Sequence, residues 1–171
     1  MHLESERMIL RSFVESDLAE LHEIFADKEV MTFIEPAYTL EQTQEFLTNF
    51  CIGRKAAFAA VHKASDKVIG YVLFKEDEDE VYDIGWIFNK AFWRQGYAYE
   101  ICSRLIKHAF EDMGVFKICA QCIDPKSLGL MEKLGMVREG IKRQQTRDMD
   151  GIRRDWYDYG LLREEYNNAR H

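Results

Sequence analysis

The chain has 171 residues, 47% of them hydrophobic and 31% charged, with a formal net charge of −7. That length and mixture predict one globular domain over residues 1–171, with its core in about 5–165; the acidic balance argues against general nucleic-acid binding and suits a cationic partner such as an amine. No apolar run is long enough to span a bilayer, and Met1–Glu6 lacks a basic stretch followed by an apolar one, so no membrane contact and a cytoplasmic location are expected.

In chain order, Arg7–Phe13 alternates and predicts a first strand. Asp17 with Glu20 three residues on predicts a capped helix through Leu21, Ile24 and Phe25. Thr39 with Gln42 repeats the pattern and opens a helix through Thr43, Phe46, Leu47 and Phe50. Between them, Met31–Pro36 is apolar for a loop. It suits either a turn tucked on the core or a lid over a pocket. Ala56–Val61 and Val68–Lys75 predict a hairpin joined by His62–Lys67, and Glu76–Glu80 a second turn whose five carboxylates form a solvated run. Val81–Phe88 is aromatic and β-branched and predicts a strand.

After a turn at Phe92–Tyr99, a helix is expected over Glu100–Met113, with Ile101, Cys102, Leu105, Ala109 and Met113 as its buried stripe. A strand at Lys117–Ile123, a short helix near Ser127–Leu134 ended by Gly135, and late strands at Val137–Gln144 and Asp155–Leu162 complete the domain. Asp148–Gly151 marks the turn between the last two strands, and Asn167–His171 is expected to be a loose tail. Hairpins mixed with βα units predict an α/β fold: a single mixed sheet with helices on its faces.

The turn before the long helix is the most informative segment. Its first helical amides lack internal partners, the helix dipole makes that end positive, Gly96 removes a Cβ where a ligand must approach, and Arg94 adds charge. Those features suit a phosphate or pyrophosphate. The same sequence also serves as a plain tight turn, and it is neither a Walker loop nor a full G-x-G-x-x-G.

Taken together, the segments resemble the GCN5-related N-acetyltransferases (the GNAT superfamily), and most closely the branch that acetylates ribosomal-protein N-termini. The residues that carry the likeness are Glu6–Arg11, Trp93 followed by Gly96-Tyr97-Ala98, Glu100, and Glu132–Met136. Gly96-Tyr97-Ala98 fills the end of the family's Q/R-x-x-G-x-G/A loop, and Trp93 stands where Gln or Arg is usual. The resemblance implies a mostly antiparallel sheet splayed in the middle, between Val81–Phe88 and Lys117–Ile123, with the pantetheine arm of coenzyme A in the splay.

It further implies an acetyl-CoA cosubstrate held by the backbone of Arg94, Gln95, Gly96, Tyr97 and Ala98, main-chain groups of Ile87 and Phe88, and Ser127. Asp124 stands where the family has Asn, and serves either as a base or as a helix cap. Asp83 is the leading candidate base and Glu35 a weaker one. Met131 fills the place of a tyrosine acid that many relatives carry; Tyr157, Tyr159 or a water are its possible substitutes. The implied reaction is direct acetyl transfer to a primary amine, either a small molecule or a protein N-terminus, without a metal. The alternative is a non-catalytic coenzyme A or nucleotide sensor on the same fold. A homodimer is plausible through the aromatic C-terminal strand. Cys119 and Cys122, three apart in a strand, point to opposite faces, and no second pair follows at zinc spacing, so the four cysteines are expected to be apolar packing groups.

Overall fold

The computed structural model describes residues 1–170; His171 lies outside them. The strands are β1 His2–Glu4, β2 Met8–Ser12, β3 Ala57–His62, β4 Lys67–Glu78, β5 Val81–Phe88, β6 Lys117–Cys122, β7 Val137–Arg147 and β8 Arg153–Leu162. The helices are α1 Leu18–Phe25, α2 Lys28–Met31, α3 Leu40–Phe46, α4 Tyr97–Glu111, α5 Pro125–Lys133 and α6 Arg163–Asn168. One sheet holds all eight strands in the order β1-β2-β3-β4-β5-β6-β8-β7. Every neighbouring pair is antiparallel except β5 with β6. This is the expected mixed, mostly antiparallel sheet.

Both faces of the sheet are covered, and each has its own core. On one face Leu10, Ile69, Val72 and Ile84 pack against Ile101, Leu105, Ile106 and Phe110 of α4. On the other, Ala57, Ala59, Val68 and Tyr71 pack against Leu21, Ile24 and Phe25 of α1 and Leu47. The middle of β4 therefore reads as an unbroken apolar run, because Ile69 and Val72 face one core while Val68 and Tyr71 face the other. No described helix is long and apolar enough to cross a membrane.

The parallel pair is short. Only Val81, Tyr82 and Asp83 of β5 register with Lys117, Ile118 and Cys119 of β6. From Ile84 to Phe88 the β6-facing edge of β5 has no strand partner, while β6 goes on pairing with β8 as far as Cys122. The sheet thus opens in its middle, at the place the resemblance implied.

Several sequence expectations shift. The carboxylate run does not turn at once: β4 continues through Glu78, and the tight turn is Asp79–Glu80, where Glu80 has φ +58°. The long helix starts at Tyr97 rather than Glu100 and stops at Glu111. Met113 falls beyond that end and is 40% exposed, so Ile106 and Phe110 complete the stripe instead. Met31, expected in a loop, closes α2, whose amides at Glu29 and Val30 are capped by the Asp27 carboxylate. Asp17 precedes α1 as expected but does not cap it. Its carboxylate accepts both guanidinium bonds of Arg11, at 2.8 and 2.9 Å, and the Val14 amide. Asn167 and Asn168, expected in a loose tail, end α6.

Candidate functional site

The gap between β5 and β6 opens into a cleft of about 1120 Å³. Ile84–Phe88 form one wall, and Gln121–Asp124 with α5 form the other. The start of α4 and the 33–38 loop also line it. Ile87, Phe88, Arg94, Gly96, Tyr97, Ala98, Asp124 and Ser127 all reach this one space. Gln95 and Asp83 are not among its lining residues.

Gly96 is the N-cap of α4 and has φ +83°. That conformation is open to glycine and strained for other residues, and it lets the chain reverse from Arg94, itself at φ +58°, into the helix. No side chain caps the helix, and the amides of Tyr97, Ala98 and Tyr99 have no partner among the described residues. Three free donors and the positive helix end therefore face the cleft beside Arg94. Phe88, expected to offer main-chain groups to the cosubstrate, already uses its carbonyl once. Its carbonyl accepts the Trp93 indole N–H at 2.8 Å, so Trp93 fastens the turn to the end of β5.

The turn is also braced from the N-terminal segment. Glu100 accepts the Arg7 amide, the Arg7 Nε and the Ser5 hydroxyl, each at 2.7 Å. The Arg7 guanidinium also donates to the Gln95 carbonyl at 3.0 Å and lies 4.2 Å from the Tyr97 ring centroid. Burial pushes the Glu100 carboxyl up, but the bonds from Arg7 and Ser5 outweigh it and hold it below the ordinary carboxylate range. This brace was invisible as a contact in the sequence, although both of its ends lie in segments that carry the resemblance.

On the α5 side, Asp124 is the N-cap: its Oδ1 accepts the Lys126 amide at 2.8 Å, with Pro125 in the first turn. Ser127, expected as a possible cap, instead donates to Asp124 Oδ2 at 3.5 Å. Met131 is buried and lines the cleft. Neither tyrosine proposed to replace it reaches the lining: Tyr159 is 1% exposed and donates to Glu132 at 3.1 Å, and Tyr157 lies elsewhere on β8. Two cations that the sequence reading missed, Lys126 and Lys133, do line the cleft, and the Lys133 Nζ lies 4.3 Å from the Tyr99 ring centroid. Their spacing of seven places them on one helix face, which is the signal that could have found them.

Asp83 sits in the paired part of β5 and is bound to Lys75 at 3.4 Å. Lys75, not Asp83, lines the cleft. Burial pulls the Lys75 ammonium down, but Asp77 and Asp83 outweigh it and hold it above its ordinary value. Asp83 is therefore placed as a charge partner rather than over the cleft. Glu35, the weaker candidate, does line it, and its Oε1 accepts the Tyr38 hydroxyl at 2.5 Å. Burial first, and then the bond to Glu35, push the Tyr38 phenol up.

Cys122 is the one cysteine in the lining, and burial, reinforced by the Asp124 charge, pushes its thiol up to about 11. A thiol held neutral is a poor nucleophile. Lys75, Arg94, Lys126, Lys133 and Arg147 are the cations of the lining, against the carboxylates of Glu35 and Asp124. The cleft is thus basic within a chain of net charge −7.

Comparison with known proteins agrees with this geometry. A family profile described as an acetyltransferase (GNAT) domain matches residues 7–137. The uncharacterized N-acetyltransferase YnaD of Bacillus subtilis is 29% identical over 175 residues, covering 98% of this chain and all of that protein. A GNAT-family acetyltransferase structure from Bacillus anthracis is 30% identical, with TM-score 0.85 over 96% of this chain and 99% of the other. Spermidine N-acetyltransferase from Vibrio cholerae, solved with CoA and spermine, shares the fold at TM-score 0.81 and 22% identity, over 95% of this chain and 99% of the other. The phosphate-type turn, the splayed sheet and these likenesses converge: the chain belongs to the GNAT acetyltransferase family and is an acyltransferase enzyme.

Proposed function

We propose that this chain works as a single acetyl-CoA-dependent N-acetyltransferase domain that acetylates a primary amine by direct transfer. The observation that carries the reading is the union, in one cleft, of an uncapped helix N-terminus with three free amides and an unpaired strand edge. The first suits a pyrophosphate. The second suits the extended, amide-bearing pantetheine arm, which can hydrogen-bond to an open strand edge. Arg94, Gly96, Tyr97 and Ala98 with the Gln95 backbone hold the phosphates, Lys126 and Lys133 add charge, and Ile87, Phe88 and Ser127 border the arm. The V. cholerae enzyme of the same fold binds CoA, which supports this use of the cleft.

Acetyl-CoA supplies an activated thioester. The amine nitrogen forms the new C–N bond to its carbonyl carbon as the C–S bond breaks, and the sulfur leaves with the electron pair. The protein's task is chiefly to align the nitrogen with that carbon, which alone supplies much of the rate. Glu35, lining the cleft and oriented by Tyr38, accepts the amine's proton. The alkyl thiolate, whose thiol has a pKa of about 8.5 by analogy with cysteine, is a stable enough anion to leave without a positioned acid, and it then takes up the second proton that the nitrogen loses as the amide forms. Transfer through an acetyl-cysteine is disfavoured by the raised thiol of Cys122.

The test is a turnover assay with acetyl-CoA and a broad panel of primary amines, following free thiol and the mass of the product together. Amine-dependent thiol release with stoichiometric N-acetyl product is expected. Saturable acetyl-CoA binding with no product from any amine would replace the enzyme reading with a coenzyme A sensor.

A further inference from the structure

Under the 33–38 loop the cleft changes character. Phe25, Phe33, Tyr38, Phe46 and Tyr71 line it. Four of these rings interlock: Phe25 lies 5.2 Å from Tyr38, 5.5 Å from Phe46 and 5.5 Å from Tyr71 between ring centroids. Two polar groups interrupt the aromatic wall. One is the Glu35 carboxylate, fixed by Tyr38. The other is the Tyr71 hydroxyl. Tyr71 is only 6% exposed, yet it makes no hydrogen bond to any described residue. No fully buried side-chain polar atom among the described residues lacks a partner, so this hydroxyl opens onto the cleft that Tyr71 lines. An unpartnered hydroxyl on an otherwise buried tyrosine, close enough to the exposed Glu35 carboxylate to feel its charge, is a place for a single polar group of a ligand.

Charge and closure narrow the ligand further. Lys75 and Arg147 line the cleft as well, so the single carboxylate of the aromatic wall is outnumbered by cations. A polyamine would bring several positive charges to a basic cleft; a monoamine brings one. The mouth is also bridged. The Met149 amide donates to the Thr32 carbonyl at 2.9 Å, and the Arg154 guanidinium lies 5.2 Å from the Phe33 ring centroid. These contacts join the β7–β8 turn to the loop. Phe33 and Met149, one from each joined segment, both line the cleft, so these segments wall off part of it, which favours a small molecule over an extended protein N-terminus.

We infer that the acceptor is a small monoamine carried on an aromatic or branched apolar body, with its nitrogen held between Glu35 and Tyr71. This inference rests on the acetyl-transfer reading above. Glu35 receives the ammonium and takes its first proton; the neutral nitrogen forms the C–N bond as the C–S bond breaks, and the second proton that the nitrogen sheds goes to the departing thiolate, which leaves as free thiol.

The full chain, saturated with acetyl-CoA, is assayed with 2-phenylethylamine, spermidine and a peptide with N-terminal alanine; acetyl-CoA affinity is measured separately by calorimetry. The kcat/KM for 2-phenylethylamine is expected to exceed the other two by about ten- to a hundredfold, since an aromatic side chain's burial is worth about 1.5–3 kcal/mol. Glu35→Gln should lower it by about tenfold or more, the loss expected of a charge-assisted hydrogen bond, with acetyl-CoA affinity unchanged. Phe33→Asp, on the loop, should shift relative activity toward spermidine. Spermidine or the peptide as the best substrate would overturn the inference while leaving acetyl transfer standing. Acetyl-CoA binding with no product from any of the three would overturn the inference, and the transfer reading falls with it only if the broad amine panel also gives no product.

Discussion

Glu100 shows how one residue links the sequence motif to the site. It stands in the first turn of α4, where its charge complements the helix dipole, and it joins Ser5 and Arg7 to the turn at Gln95 and Gly96. Arg7 and Glu100 are 93 positions apart, so local periodicity gave no hint that they meet. The charge of Glu100 also explains why Arg7 braces the turn without competing for phosphate: the guanidinium is already paired. Glu100→Gln should cost about 1.5–3 kcal/mol, the range for hydrogen bonds to a charged group. The carboxyl is held below its ordinary value of 4.5 in the folded state. Its contribution is therefore complete above that pH and is lost as pH falls through the lower folded value. Denaturant titrations across that acid range should show a steeper loss of stability in the wild type than in Glu100→Gln; parallel pH profiles would remove Glu100 from the linkage.

At the scale of elements, α5 was half legible. Gly135 predicted its end and has φ +86°, and the Lys117–Ile123 strand before it was placed within a residue. What the sequence left open was the job of Asp124, because Asx residues before a helix serve as caps, bases or ligands with the same letter. The bond to the Lys126 amide shows it capping the helix. Asp124→Ala should therefore cost about 1 kcal/mol, while Asp124→Asn, which caps equally well and restores the family's residue, should keep both stability and turnover. A collapse of kcat in Asp124→Asn with unchanged melting temperature would instead return Asp124 to the chemistry. Other elements were misread for identifiable reasons. β1 is three residues long and carries no periodic signal. The acidic run resembled a turn, yet Glu76–Glu78 extend a strand whose exposed end tolerates charge. Asp17 looked like a cap, but its carboxylate was claimed by Arg11 from the neighbouring strand.

For the whole molecule, the order of the main strands and helices, though not β1, α2 or α6, was readable because each of those segments carried its own period and turn chemistry. The splay was readable only through resemblance, since it depends on where a parallel pair stops. Net charge misled: the chain is acidic, and the site is basic. The lining cations fit a polyphosphate-bearing cosubstrate, and they explain how an acidic protein can draw one in. The aromatic part of the cleft was foreshadowed only by the apolar Met31–Pro36 loop, because its other walls come from α1, α3 and β4, far apart in sequence.

The central claim is that the Gly96 turn of the splayed cleft holds acetyl-CoA. Its most direct test is calorimetric titration of acetyl-CoA into the wild type and Gly96→Glu, with circular dichroism confirming that both are folded. A Cβ at φ +83° adds strain of about 1 kcal/mol, and the carboxylate opposes phosphate at the free amides. Saturable binding by the wild type, weakened about a hundredfold or more in the folded variant, is the predicted result. Equal affinity in both proteins would contradict the account.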